Sequence, residues 1–311
     1  MMNGVFVIIK TKDMIKRFFK ATVIVLLAGL GMTSCSEDDL DAVIPEGASV
    51  NFFAHSEYLA AVRQTAGYAF FPILTDDKGW NLTNSLQVAT YPYFNPGQNI
   101  SYEYPTPNSQ TESDETAAYY YRMPAGRRII SFMGDTLGVN IQTLEQDFPS
   151  RSYHLVYFTD KVRDDKVADY RVFNVPESRK PEHAGRFNYR LVNLSPDAGN
   201  LTVRFRKRSG GYTDTGASAG YAAYSEYVGV DTTGLVINNR LVLEVLDSGG
   251  DIAFTQRVNP LYDVGYHFVI GGFSAAQQGV KTPYAIDNNG SVTYRIAGIP
   301  ANLQLTVRRI Y

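Results

Sequence analysis

The 311 residues carry 29 basic and 31 acidic side chains, a formal net charge of −2, with 44% hydrophobic, 13% aromatic and 19% charged types. That balance sits near the soluble globular average; it excludes long disorder, collagen and a disulfide scaffold, and it supplies no basic field for nucleic acid. Twenty-six Gly, 14 Pro and 22 Tyr beside one Trp and one Cys favour strands and turns over a helix bundle, and the length admits about two domains.

At the amino end Lys10, Lys12, Lys16, Arg17 and Lys20 stand against a single acid, Asp13, and the next segment, ATVIVLLAGLG from Ala21, is uncharged. A basic region followed by an apolar run too short to span a bilayer is the anatomy of a signal peptide. Either Met1 or Met14 serves as its start. Met32-Thr33-Ser34-Cys35 stands at the cleavage position and resembles a bacterial lipobox, with Met32 where Leu is usual, which implies lipidation of Cys35. The run Ser36-Glu37-Asp38-Asp39-Leu40-Asp41 resembles the export signal of surface lipoproteins of the Bacteroidota type, and its clustered charge also reads as an extended tether. Residues 1–34 are thus read as leader and 35–46 as tether. The expected partner is the outer membrane, gripped through several acyl chains on the exterior side and not crossed. Without residues 1–34 the chain has 24 basic and 30 acidic residues, a net charge of −6, and no second cysteine for an intramolecular disulfide.

Beyond the tether the chain repeats itself. Shifted by 113 residues without a gap, Arg127 to Phe158 falls on Arg240 to Gly271, with Ile130 on Leu243, Phe132 on Val245, Phe148 on Leu261 and His154 on His267. An earlier match, Ser49 to Ser56 on Asn188 to Ser195, has an offset of 139, so the first copy holds an inserted loop at about residues 93–118. So long a period signals duplicated domains, since solenoid and propeller repeats are shorter. Phe187, Tyr189 and Leu191 alternate with Asn188 and Arg190, and Leu201, Val203 and Phe205 with Thr202, Arg204 and Arg206, so each strand should bury one face and wet the other. Val292, Tyr294 and Ile296, then Leu303, Leu305 and Val307, continue the pattern to the carboxyl end. Short strands between Gly- and Asn-rich turns, with no helical periodicity sustained over many turns, predict an all-β fold of two tandem antiparallel β-sandwich domains at 47–175 and 185–311, with a linker at 176–184.

Arg190-Leu191-Val192-Asn193-Leu194-Ser195-Pro196-Asp197-Ala198-Gly199, followed by Leu201-Thr202-Val203, resembles the first hairpin of the family called domain of unknown function 4397. Gly265-Tyr266-His267-Phe268-Val269 fits that family's final core strand. The first copy has His55-Ser56-Glu57 in place of the Pro-Asp. The resemblance implies two immunoglobulin-like sandwiches on a surface lipoprotein and no activity, because a fold alone specifies none.

Chemistry-bearing patterns are sparse. His154 and His267 occupy matching repeat positions, without Cys, His or paired carboxylates at metal-site spacing, and read as strand histidines. His55 and His183 fall at a strand end and in the linker. There is no Gly-x-Ser-x-Gly elbow, Cys nucleophile, HExxH pair or phosphate loop; no catalytic residue, metal or cofactor is expected. Asp287-Asn288-Asn289-Gly290 reads as a turn, with no trailing Glu to complete a calcium loop. Trp80, Tyr91, Tyr93, Tyr119, Tyr120 and Tyr121 flank the inserted loop and are candidates for stacking on sugar rings, against the ordinary reading of strand aromatics in a core. Asp135-Thr136-Leu137 and Asp231-Thr232-Thr233 resemble the O-glycosylation sequon of Bacteroidota-type secreted proteins, which marks Thr136 and Thr232. The expectation is a non-enzymatic surface lipoprotein that binds or scaffolds, its further partner a glycan or a surface protein. The alternatives are a carbohydrate-binding protein using those aromatics, a fimbrillin-like assembly subunit whose terminal strand completes a neighbour's sheet, and, least supported, a hydrolase.

Overall fold

The computed structural model describes residues 47–66, 71–76, 93–94, 101–105, 117–134, 139–286 and 291–311. Cys35, the acidic run, Trp80, Tyr91, Thr136 and the turn at 287–290 lie outside the described residues. The first copy runs β1 (Ala48–His55), α1 (Glu57–Ala66), β2 (Phe71–Thr75), β3 (Tyr93–Phe94), β4 (Ser101–Tyr104), β5 (Tyr121–Met123), β6 (Gly126–Gly134), β7 (Val139–Phe148), β8 (Tyr153–Lys161) and β9 (Asp169–Glu177). The second runs β10 (Phe187–Asn193), β11 (Leu201–Arg206), β12 (Tyr212–Ala219), β13 (Ala223–Tyr224), β14 (Val228–Val230), β15 (Val236–Ile237), β16 (Arg240–Leu246), β17 (Ile252–Val258) and β18 (Gly265–Gly271), then the hairpin β19 (Gln277–Ile286) and β20 (Val292–Ile299), and β21 (Gln304–Arg309).

Each copy is a sandwich, so the chain is all-β as its alternation predicts. In the first, the sheet β4-β1-β8-β9, with β5 beside β1, faces β3-β2-β6-β7 across Val50, Phe52, Ile73, Ile130, Phe132 and Phe158. In the second, β13-β10-β18-β21, with β14 beside β10, faces β12-β11-β16 and β17 across Phe187, Tyr189, Leu191, Val203, Phe205, Leu243 and Val245. Among the described strands pairing is antiparallel except at two matching places, where β1 runs parallel to β8 and β10 parallel to β18.

The outer faces depart from expectation. Asn188 and Arg190 alternate with the core residues of β10 as predicted, yet they are 0% and 4% exposed. The reason is a third core: Phe53, Leu155, Tyr157 and Val175 of the first copy's inner sheet pack on Val192, Leu194, Val269 and Ile310 of the second. The two inner sheets therefore lie face to face and the strands form four layers. β1, β10 and β18 are buried along their whole length, because a sheet covered on both faces has no wet side. Residues from Glu46 onward form one compact unit. The segment 176–184 is not all connector, since β9 continues to Glu177.

Helix α1 is a second departure. Ser56 caps it: its hydroxyl accepts the Leu59 N–H at 3.1 Å and donates to Asp160, whose carboxylate accepts the Glu57 N–H at 2.7 Å. A side-chain oxygen on those first amides satisfies donors that have no partner within a helix. Tyr58, Leu59 and Val62 face the first core, which also takes in Phe273 beyond β18, Val280 of β19 and Ile299 of β20. The last hairpin of the chain thus completes the sandwich nearest its start.

The register of the repeat also shifts. Ile129 and Ile130 of β6 lie opposite Glu145 and Leu144, while their counterparts Val242 and Leu243 of β16 lie opposite Arg257 and Gln256. The ungapped offset would have placed Val258 and Arg257 there. Next to β1, Ser49 pairs with Tyr153, and next to β10, Asn188 pairs with Gly265. From β17 to β18 the structural offset is thus one residue shorter than the sequence offset, and a slip of one residue reverses the face. His154 and His267 are consequently not equivalent. His154 packs edge-on to Phe148, and His267 faces the seam between the sandwiches.

Candidate functional site

The aromatics singled out from the sequence divide. Tyr93 and Tyr121 meet through Tyr104, with ring centroids 5.8 and 6.0 Å apart and planes inclined at 47° and 61°. All three are half-buried. Rings inclined to one another and sunk to this depth form a packed row, whereas stacking on a sugar needs an open flat face. Tyr120 lies edge-on to Tyr153, away from that row, and Tyr119 is the exposed member at 45%. Thr232 is 8% exposed, and its hydroxyl lies 2.6 Å from the Tyr262 hydroxyl, so a glycan there requires that bond to open.

One serine does meet a histidine. Ser152 Oγ is 2.7 Å from His154 Nε2, whose Nδ1 accepts from Asn174 Nδ2 at 3.0 Å. The serine donates its own proton to the Pro149 carbonyl, so Nε2–H donates to Oγ. Proton donation in that direction locks a turn; a nucleophile needs the reverse. Ser56 is likewise committed to its cap. Among the described residues no three His, Cys, Asp or Glu are grouped to hold a metal, and no helix is long and apolar enough to cross a membrane. The assembly-subunit reading expects a terminal strand awaiting a neighbour; β1 is paired on both sides, and β21 is paired with β18.

The seam holds a chain of buried polar groups that sequence patterning does not reveal. Arg308 of β21 donates to Glu103 at 2.5 Å, to Asn51 Oδ1 at 2.8 Å and to the Tyr157 hydroxyl at 3.2 Å. Tyr157 is 2.6 Å from His267 Nδ1, His267 Nε2 is 2.9 Å from Glu177, and Glu177 accepts from Arg190 at 3.0 Å. The two Arg and two Glu neutralise one another. A neutral imidazole then closes the chain, with Tyr157 donating to Nδ1 and Nε2–H donating to Glu177. Burial pushes the His267 pKa down to about 4 against the pull of Glu177, and burial alone does the same for His55 at the end of β1.

These groups set a pH optimum. Between about pH 4 and 6.5, His55 and His267 are neutral when folded and protonated when unfolded. Their contribution to stability is complete above 6.5 and is lost as pH falls through 4. Asp160 runs the other way: burial raises it from 3.8 to about 8 against its three donors, so its contribution is lost as pH rises across that interval. One net proton therefore separates the states on the acid side. Stability should peak near pH 6.5 and drop by about 3 kcal/mol by about pH 4.5. Urea unfolding across that range checks this, and a flat or rising stability toward acid contradicts it.

A cleft of about 140 Å³ opens where edge strands β17 and β21 of the second sandwich approach each other. Val258 and Tyr266 form its floor from the core, with half-buried Leu261 and Val307 beside them. Exposed Arg240, Gln256, Arg257 and Asn259 line its mouth. Neither guanidinium has a hydrogen-bond or ion-pair partner among the described residues. An apolar floor beneath a few polar groups is the usual composition of a small-molecule site. The tool that would have found this site is the repeat, once its one-residue slip is known.

No family model matches the chain, that of domain of unknown function 4397 included, and no curated protein matches it. Among solved structures it is similar to the crystal structure of a "putative cell adhesion protein" from Bacteroides ovatus, at 12% identity, covering 84% of this chain and 99% of that one, with a TM-score of 0.16. The functional reading rests on this chain's own residues.

Proposed function

We propose that the chain is a non-enzymatic lipoprotein of the outer-membrane surface, in which two sandwiches act as one binding module on an acidic tether. The observation that carries this reading is the seam. Two inner sheets joined by an apolar core and a buried chain of ion pairs resist relative motion, since displacing either sheet strands charged groups away from water. Such a body holds a surface feature at a fixed place relative to its anchor, which suits binding or scaffolding. The lipobox-like Met32 to Cys35 and the following acidic run support the anchor. Metabolic labelling with an alkyne fatty acid, combined with protease treatment of intact cells, tests it. The wild type should take up label and be cleaved from outside, and Cys35→Ser should take up none and leave the membrane fraction. A cytosolic protein that retains its leader would overturn the reading.

A further inference from the structure

The geometry points to the Arg240–Arg257 cleft as a binding site for an acidic saccharide, one sugar ring bearing a carboxylate or sulfate group. The proposal deepens the binding-module reading by naming its site, and its evidence comes from the molecule's internal control. In the first sandwich Arg127 of β6 reaches diagonally across to Glu145 of β7, Nε to Oε1 at 2.7 Å, from the same outward face. Glu145 lies opposite Ile129. In the second sandwich Arg240 takes the place of Arg127, Val242 that of Ile129, and the residue opposite Val242 is Arg257. The same diagonal that holds an ion pair in one copy holds two guanidiniums in the other.

The neighbouring position changes in the same sense. Leu144, opposite Ile130, packs against the first core, whereas Gln256 stands opposite Leu243 at the cleft. An apolar plug and an acid have given way to an amide and a cation. Like charges held on one diagonal of a strand pair are unfavourable when nothing lies between them. A shared oxyanion relieves that repulsion, and the planar guanidinium fork matches carboxylate or sulfate oxygens. The wider field agrees: residues 185–311 carry 12 basic and 9 acidic side chains, and residues 35–184 carry 12 basic and 21 acidic.

The rest of the cleft selects the body that carries the anion. Gln256 and Asn259 each offer a donor and an acceptor, as ring hydroxyls require, and Tyr266, Leu261 and Val307 offer an apolar floor for the ring's CH groups. A space of about 140 Å³ suits one ring and not a run of peptide residues.

Isothermal titration of the purified full chain with glucuronate, glucose 6-sulfate, glucose and N-acetylglutamate amide tests the assignment. Glucuronate or the 6-sulfate should bind at least tenfold more tightly than glucose, and whichever of the two is tighter identifies the source of the anion. Arg257→Glu should weaken that binding at least tenfold while leaving the melting temperature unchanged or raised, because it rebuilds the ion pair of the first copy. Equal binding of glucose, binding that survives Arg257→Glu, no binding of either acid, or tighter binding of the glutamate compound would each overturn the site. Those results are independent of Cys35 labelling, so loss of the ligand leaves the anchored module standing, and loss of the anchor leaves the cleft.

Discussion

Replacement of Arg308 by Met is expected to lower the unfolding free energy by about 4 kcal/mol and the melting temperature by about 10 °C, the largest effect of any single polar residue in the seam. Arg308 of the second sandwich is 6% exposed and serves three acceptors of the first: Glu103, Asn51 and Tyr157. Its guanidinium also lies 4.3 Å from the Phe53 ring centroid. The substitution keeps most of the volume and takes the guanidinium away from Glu103, to which Asn51 still donates at 2.7 Å. A covered carboxylate that has lost its cation accounts for most of the penalty. Adding Glu103→Gln should therefore recover part of the loss, so that the double variant is at least about 1 kcal/mol more stable than the two single changes summed. Chemical denaturation of the four proteins measures both quantities. A single-variant effect under about 1 kcal/mol, or simple additivity, would show that the seam is held by its apolar core alone.

Gly272→Ala should be as damaging for a different reason. Gly272 has φ +85° at the end of β18, and a Cβ placed there enters the van der Waals shell of the Asn302 carbonyl oxygen, with the ring of His55 close behind. Backbone cannot retreat as a long side chain can. The cost combines the left-handed backbone with the collision, about 4 kcal/mol in all. Gly250 supplies the control, since it has the same φ of +85° with no atom near its would-be Cβ. Gly250→Ala should cost only about 1 kcal/mol. Equal melting temperatures for the two variants would remove close approach as the explanation.

Local pattern and long-range pattern were not equally legible. The alternation in Leu201, Val203 and Phe205 predicts which residues of β11 are buried, because that strand has only one covered face. The same rule misplaces Asn188, Arg190 and Arg308, because Asn188 is held by the His183 segment before β10, Arg190 by Glu177 of the other sandwich, and Arg308 by residues more than a hundred positions away, and nothing within a strand of seven residues records what lies outside it. Helix α1 escapes for a similar reason. Its capping serine and the acid at Glu57 are visible in sequence, but most of the apolar partners of Tyr58 and Leu59 come from far along the chain. The 113-residue repeat correctly assigns β6 to β16, and it then misassigns everything after the next turn by one residue. That slip separates His154 from His267 and brings Arg257 to the position of Glu145. The cleft was missed because two exposed arginines in unrelated stretches of sequence look like ordinary solvated charge. The six aromatics lie around the inserted loop in sequence, and that proximity does not say which way rings are inclined.

The placement of β19 and β20 against α1 bears on how the polypeptide matures. A chain synthesised amino end first exposes β1, α1 and β8 while Val280, Ile299 and Arg308 are still behind it, so the leading sandwich lacks part of its core until those residues emerge. Closure at the head is timed by delivery of the tail.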